Sequence, residues 1–484
     1  MITATPSKSP SLKRDAIWTA ADTLISSGLA FLFRLIVARF VAPGEFGVFA
    51  LALTTFAIVQ VINEFGMAAT VIQRSDDRFD ETVVDTAYAA STIVSTSLFI
   101  INLFIISPLS AWAFNSERVG LVTAVIGVSF LFTPTVSISR ALLFRKRDYR
   151  AVTIARIAST ILSLIIASIV LILYRNVWAL VVQILLAQIF LAIGMHRLGD
   201  WRPKLKLSRA ALREMIGYSG LVFGNDVFGS IAKNLDVIVL GRLVAQSQVG
   251  LYSLAFYITD VVRLNLASIL NRVMFTHYSR IQNDLVLVRK YVVRSASWNL
   301  LAIFPVMILI MLAGPILLPY FLGHKWAAMT VPLQLLALSV MLATISGTSS
   351  TAFKAIGRPG AELGIAIVTG VVVLVPLLVA GVLVAGTTGA AAAVAIKSAI
   401  SVFIRQPMLD RLIGHTAWPV AQAVLGGLLL QTPLTIVWFL TFRFLPLEPV
   451  YGAFVATVGA SVVYVVTLAC ARPVQSPLWP GFNR

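Results

Sequence analysis

Cysteine, histidine and acid are all scarce in this chain. A single cysteine, Cys470, stands among 484 residues. That excludes an intrachain disulfide and a metal site built on several thiolates. The four histidines (His196, His277, His324 and His415) show no metal-ligand spacing. Charged residues make up only 12% of the chain, against about 25% in soluble domains. No polar stretch is long enough to fold a water-soluble domain; among the longest, residues 197–213, cannot bury a core. A P-loop and a Gly-x-Gly-x-x-Gly nucleotide site are both absent. No cofactor site is expected.

What remains is apolar. Hydrophobic residues form 58% of the chain and the mean hydropathy is +0.91. Apolar runs of about 20 residues are long enough to span a bilayer as helices. Fourteen such runs can be traced, predicting an all-α polytopic membrane protein. The polar, basic start, residues 1–14, precedes an apolar run of about 25 residues, longer than the roughly 7–15 of a cleavable signal peptide. A retained first helix is expected.

The formal net charge of +18 raises the question of nucleic acid, and its distribution answers it. With the N-terminus in the cytoplasm, twenty-five Lys and Arg fall on inside segments and six on outside segments or hinges. This asymmetry is the positive-inside pattern of a membrane protein. It accounts for most of the excess charge with the lipid bilayer as partner and no nucleic acid. The outside loops are then short, which disfavours an integral-membrane glycosyltransferase. Both termini are placed in the cytoplasm.

The chain also repeats itself. Arg39-Phe-Val-Ala-Pro-Gly-Glu-Phe-Gly47-Val-Phe-Ala-Leu-Ala52 recurs as Arg242-Leu-Val-Ala-Gln-Ser-Gln-Val-Gly250-Leu-Tyr-Ser-Leu-Ala255, displaced by 203 residues. Each copy is a hinge between two spans. Six spans separate the copies, so both begin on the same side, as parallel repeats related by an axis along the membrane normal. The expected organisation is a tail (1–14), a first six-helix lobe (15–196), a basic linker (197–214) and a second lobe (215–404). Two extra helices and a tail (405–484) follow. The basic run of the linker is expected to lie against anionic headgroups.

Seven cations lie within or near the edges of predicted spans, where a charge costs roughly 2.5–3.5 kcal/mol at the bilayer centre. They are Arg34, Arg140, Arg156, Lys233, Arg263, Arg272 and Lys397, accompanied by Asp22, Glu64, Asn225, Asp226, Asp236 and Asp260. The spans flanking the two hinges hold most of them. Asp226 and Lys233 are two turns apart on one helical face. Lys233 and Asp236, and Asp260 and Arg263, are three apart, a spacing that permits pairing. Arg39, Arg242, Arg140 and Arg272 read as helix-end anchors that reach headgroups. Asp260–Arg263 reads equally as a structural ion pair, and Arg156 and Lys397 as interhelical contacts. Arg34, Glu64, Asp226, Lys233 and Asp236 are the stronger candidates for lining a cavity.

Three segments resemble bacterial polysaccharide transporters. The first is Pro43-Gly-Glu-Phe-Gly-Val-Phe-Ala-Leu-Ala52 with Glu64-Phe-Gly66-Met-Ala-Ala-Thr-Val-Ile-Gln73. The second is Asn234-Leu-Asp236-Val-Ile-Val-Leu-Gly-Arg242 with Gly250-Leu-Tyr252-Ser-Leu-Ala255. Phe353-Lys-Ala-Ile-Gly-Arg358-Pro359 is the third. The resemblance is to the oligosaccharide flippases of the multidrug/oligosaccharidyl-lipid/polysaccharide exporter superfamily. It implies two six-helix lobes around a central cavity that opens alternately to each side of the inner membrane. It implies a polyprenyl-pyrophosphate-linked glycan as cargo, with a polysaccharide polymerase and chain-length proteins as partners. Carried over by charge and helix position, Arg34, Lys233, Arg263 and Lys397 become candidate anion holders. Glu64 and Asp236 lie in the matched segments, and Asn225 and Asp226 sit just upstream of the second. Asp236 or Asp226 could take up a coupling proton; coupling to a proton or sodium gradient is the expectation. Two other readings stay open: a cation-coupled antiporter of small drugs, and a non-transporting scaffold of a glycan-assembly complex.

Overall fold

The structure, a computed structural model, describes residues 12–63, 70–72, 80–199, 201–444 and 447–471. All regular structure among them is helical. The chain enters as α1 (Leu12–Phe40) and turns at Val41 and Ala42 into α2 (Pro43–Asn63). α3 (Glu81–Ile101) runs through a π-helical turn into α4 (Ser107–Ala113). α5 (Glu117–Gly127) runs through a 3-10 stretch into α6 (Thr133–Arg145). α7 (Tyr149–Tyr174) and α8 (Trp178–Leu198) precede the linker. α9 (Arg209–Leu243) and α10 (Gln246–Arg280) flank the second hinge. α11 (Leu285–Leu322) and α12 (Thr330–Ala355) follow. Then come α13 (Pro359–Ile367), which continues through a π-turn, and α14 (Leu374–Ile413). α15 (Ala417–Leu430), α16 (Thr432–Phe444) and α17 (Pro449–Ala471) end the described chain.

Eleven helical stretches among the described residues are long and apolar enough to cross a membrane, against the fourteen expected. Part of the difference is physical. The stretch Pro359–Ile413 is counted once, yet Ala385 and Gly386 leave helical geometry inside it, Gly386 at φ 56°. A Cβ on Gly389 would lie 1.8 Å from the Gly381 carbonyl oxygen, so the chain doubles back there on glycine alone. α9 and α10 are not among the eleven. The side chains of both helices are described only in part, and only described residues enter that count.

Helix starts follow ordinary capping chemistry. Asp80, Asp148 and Asp284 each accept a hydrogen bond from the backbone N–H three residues on, at 2.9, 3.0 and 2.9 Å. Within the apolar layer the backbone accounting is stricter, because no water is there to help. α11 carries Pro305, Pro315 and Pro319. Each proline removes the N–H that would satisfy the carbonyl four residues back. Two of those carbonyls find side-chain donors: Tyr464 Oη donates to Leu301 O at 2.7 Å, and Gln334 Nε2 donates to Met311 O at 2.9 Å. A three-proline helix is thereby held to α17 and α12.

The chain forms two compact units. The first comprises the chain up to Val41 together with Val48–Asn234. In it Asn102, at the π-turn, donates to Thr123 O at 3.1 Å, an approach that Gly127 permits by having no Cβ. The second comprises Ala42–Gly47 and the chain from Leu235 onward. Its last helices pack on α11: Ala453, Ala456 and Ala460 form a fully buried small-residue stripe in a cluster with Ala313, Leu434 and Trp438. Ala42–Gly47 of the first hinge and the whole of the second hinge lie in the second unit.

Candidate functional site

The two copies of the repeated segment touch each other. Inside the second unit, an ideal Cβ on Gly47 would lie 1.9 Å from Gln246 O, and one on Gly250 would lie 1.8 Å from Pro43 O. Residues 47 and 250 correspond under the 203-residue shift, and so do 43 and 246. Each copy's glycine therefore meets the same backbone carbonyl position of the other copy. A reciprocal contact of this kind is what two-fold symmetry produces. The atoms in the way are first-turn backbone, which no rotamer can move. Phe46 seals the contact by meeting the fully buried ring of Trp326 edge-on, 5.2 Å between centroids. Arg39 and Arg242 are exposed.

One helical step inward, the two copies diverge. In the second, Asp236 is buried and accepts hydrogen bonds from Tyr252 Oη at 2.6 Å and from its neighbour Val237 N at 2.9 Å. The corresponding residues of the first copy are Phe33 and Phe49, both buried. There the charge is on the next residue: the Arg34 guanidinium lies 5.4 Å from the centroid of the Phe49 ring, within cation–π range. The same inter-helix position is apolar in one repeat and carries a carboxylate–phenol pair in the other.

Around Asp236 the second unit gathers further charge. Lys397 on α14 is half-buried, and the charges acting on it are Arg405, Asp236 and Arg263. Arg263 is paired within α10, its Nε donating to Asp260 Oδ1 at 2.9 Å and its terminal nitrogen to the same oxygen. Arg405 forks onto Glu362 with contacts of 2.7 and 3.1 Å, and Ser350 donates to the same carboxylate at 2.8 Å. In the first unit, Asp22 meets Arg156 at 3.6 Å.

Of the residues singled out in sequence, Asp236, Arg263 and Lys397 lie within one electrostatic neighbourhood. The Asp260–Arg263 pair forms, as its spacing permits. Arg34 belongs to the first unit, and Lys233 is exposed near the end of that unit's stretch of α9. Glu64 lies outside the described residues, and the side chains of Asn225 and Asp226 lie outside those described. Three partners escaped sequence reasoning: Tyr252 for Asp236, Glu362 for Arg405 and Asp22 for Arg156. Aligning the repeat residue by residue exposes the first, because the same 203-residue shift turns Phe33 into Asp236 and Phe49 into Tyr252. The other two pair residues 43 and 134 positions apart and leave no local signal. Among the described residues no group of three or more His, Cys, Asp or Glu gathers as a metal site. The arrangement can bind and balance ionised groups inside a helical membrane layer.

Residues 36–332 match the family model described as "Polysaccharide biosynthesis protein". The lipopolysaccharide biosynthesis protein WzxC of Escherichia coli (strain K12) is 22% identical over 349 residues, 71% of this chain and 70% of that protein. The succinoglycan biosynthesis transport protein ExoT of Rhizobium meliloti (strain 1021) is 23% identical over 347 residues, 71% and 69% of the two chains. Among solved structures, the lipid II flippase MurJ in an inward closed conformation superposes with a TM-score of 0.74 at 15% identity, over 95% of this chain and 99% of that one. An inward-facing multidrug resistance MATE family transporter of the MOP superfamily gives 0.63 at 16% identity, over 85% and 96%. Both likenesses establish the fold.

Proposed function

This chain belongs to the polysaccharide biosynthesis protein family, and on that premise we propose that it is a flippase for lipid-linked saccharide units of a surface or exported polysaccharide. The observation that carries the reading is the family match over 36–332 in a chain with the fold of a lipid II flippase. Curated relatives named for lipopolysaccharide and succinoglycan synthesis point the same way. The cargo is a polyprenyl-pyrophosphate-linked oligosaccharide, and the setting is the bacterial inner membrane with both termini in the cytoplasm. No bond is made or broken.

The repeat supplies the mechanism. Two parallel six-helix lobes (15–196 and 215–404) rock about the pseudo-two-fold axis, and the hinges meet in one half of the cycle and part in the other. The half-buried Arg34, Arg263 and Lys397 and the exposed Lys233 are the candidate holders of the pyrophosphate, an anion that ammonium and guanidinium groups receive by charge-assisted hydrogen bonds. Glu64, Asn225 and Asp226 stay candidates for the saccharide end of the cargo by their place in the sequence alone. Asp236, or Asp226, takes up the coupling cation, a proton or sodium ion. A polymerase and chain-length proteins receive the product on the outer face.

The test is export in cells that lack the chain, complemented with variants. Arg34→Ala with Lys233→Ala should reach the membrane and fail to export glycan. Full export by that double variant, at normal abundance, removes these residues from the site. The MATE likeness keeps a drug-antiporter reading in view. That reading requires transport in cells without any glycan-assembly genes.

A further inference from the structure

The linker between the two repeats has a structure of its own, and it is not a slack tether. Residues 201–208 carry no helix or strand, yet they are fastened along the start of α3. Trp201 Nε1 donates to Asp85 Oδ1 at 3.3 Å, and its ring meets Tyr88 edge-on at 5.3 Å. Lys204 Nζ reaches Glu81 Oε2 at 3.4 Å, and Ser208 N donates to Thr86 Oγ1 at 3.2 Å. Trp201 also joins the apolar cluster of Val83, Val84, Ala87 and Ile138. All of these contacts lie inside the first unit.

Fastening one side of the strap fixes what the other side presents. Leu205 is 72% exposed and Leu207 49% exposed. Between and beside them, Arg202 and Lys206 are exposed and make no hydrogen bond or ion pair among the described residues. Leucines held outward between cations are costly in water. The strap begins three residues after α8 ends, at Leu198, and lies against the first turns of α3; both are candidate membrane spans. It therefore sits at the level where helices leave the apolar layer. At that level a leucine can enter the acyl boundary while a cation meets lipid phosphate.

We propose that residues 202–207 form a docking strap for the anionic phospholipids of the cytoplasmic leaflet, with Leu205 and Leu207 inserted and Arg202 and Lys206 on the headgroups. Charge complementarity favours this occupant: residues 197–213 carry six Lys and Arg and one acid, Asp200, and the cytoplasmic leaflet carries negative surface potential. The strap is then a fixed point on the membrane at the covalent junction of the two repeats. It is independent of the cargo.

The test uses the full-length chain with Cys470→Ser and Leu205→Cys carrying a nitroxide label. It is placed in nanodiscs of phosphatidylcholine alone or mixed with phosphatidylglycerol. The label should be shielded from a water-soluble nickel chelate and accessible to oxygen in the mixed bilayer. In parallel, Arg202→Gln with Lys206→Gln should weaken phosphatidylglycerol retention by the purified protein about 25-fold, taking roughly fivefold per cation. A label equally exposed to the chelate in both bilayers, as expected if the strap docks a soluble protein instead, overturns the proposal. Unchanged lipid retention in the double variant overturns it as well.

Discussion

Gly250→Ala puts the smallest possible side chain into the contact between the two hinges. The new Cβ would lie 1.8 Å from Pro43 O and 2.9 Å from Gly47 N, whereas ordinary contact begins at 3.4 Å. The first-turn backbones must separate by about 1.6 Å, roughly the rise of one helical residue. Overpacking commonly costs about 1–3 kcal/mol, and rigid backbone on both sides argues for the upper end. At ~3 kcal/mol the hinge-closed state loses about a hundredfold in population relative to any state with the hinges apart. Val249, fully buried in the closed contact, reports on this when replaced by Cys in a Cys470→Ser background. In Gly250→Ala it should react much faster with a membrane-impermeant maleimide added from outside, and glycan export should fall. Gly47→Ala should do the same, since its Cβ meets Gln246 O at 1.9 Å. Gly28→Ala and Gly459→Ala, with nothing within 4 Å of the added atom, are the controls and should behave as wild type. Normal export with unchanged labelling in Gly250→Ala would refute the reasoning.

Arg405→Ala leaves the Glu362 carboxylate buried without its fork of hydrogen bonds. A loss of about 3–5 kcal/mol is expected, read as a lower melting temperature in detergent, and Glu362→Gln in the same chain should recover much of it. Tyr252→Phe deprives buried Asp236 of its 2.6 Å donor and should cost about 1–3 kcal/mol. Adding Asp236→Phe, which restores the pair found one repeat earlier, should melt higher than Tyr252→Phe alone. Tyr464→Phe and Gln334→Leu each strand one proline-freed carbonyl of α11. Each should cost about 1 kcal/mol, and the two should add because they share no partner. Lys397→Gln should reduce export with little change in melting, since its ammonium makes no hydrogen bond among the described residues.

The apolar runs revealed the membrane class and most helix positions, because length and hydropathy are local properties. Even the turn inside Pro359–Ile413 was legible, since the gap between Val384 and Gly389 stands out in sequence. Helix ends were less so. α14 runs on to Ile413, past the end at 404 expected for the second lobe, because Arg405 is neutralised by Glu362 and Asp410 caps the next helix through Thr416 and Ala417. The 203-residue repeat announced two related halves, but not that Gly47 and Gly250 meet. Recurrence says two segments are alike and is silent on whether they touch. At the site, charge in α9, α10 and α14 could be seen, while its pairing could not. Asp22 with Arg156 and Glu362 with Arg405 are contacts between distant helices, set by packing rather than spacing.

The central claim is that this chain moves a lipid-linked glycan across a bilayer. Its most direct test is the purified full-length chain in liposomes loaded with a fluorescent polyprenyl-pyrophosphate oligosaccharide, with a membrane-impermeant quencher outside. Flipping should let the quencher reach the inner-leaflet half of the label, and Arg34→Ala with Lys233→Ala should abolish this. A signal no faster than in protein-free liposomes, with correctly folded protein in the membrane, would contradict the account.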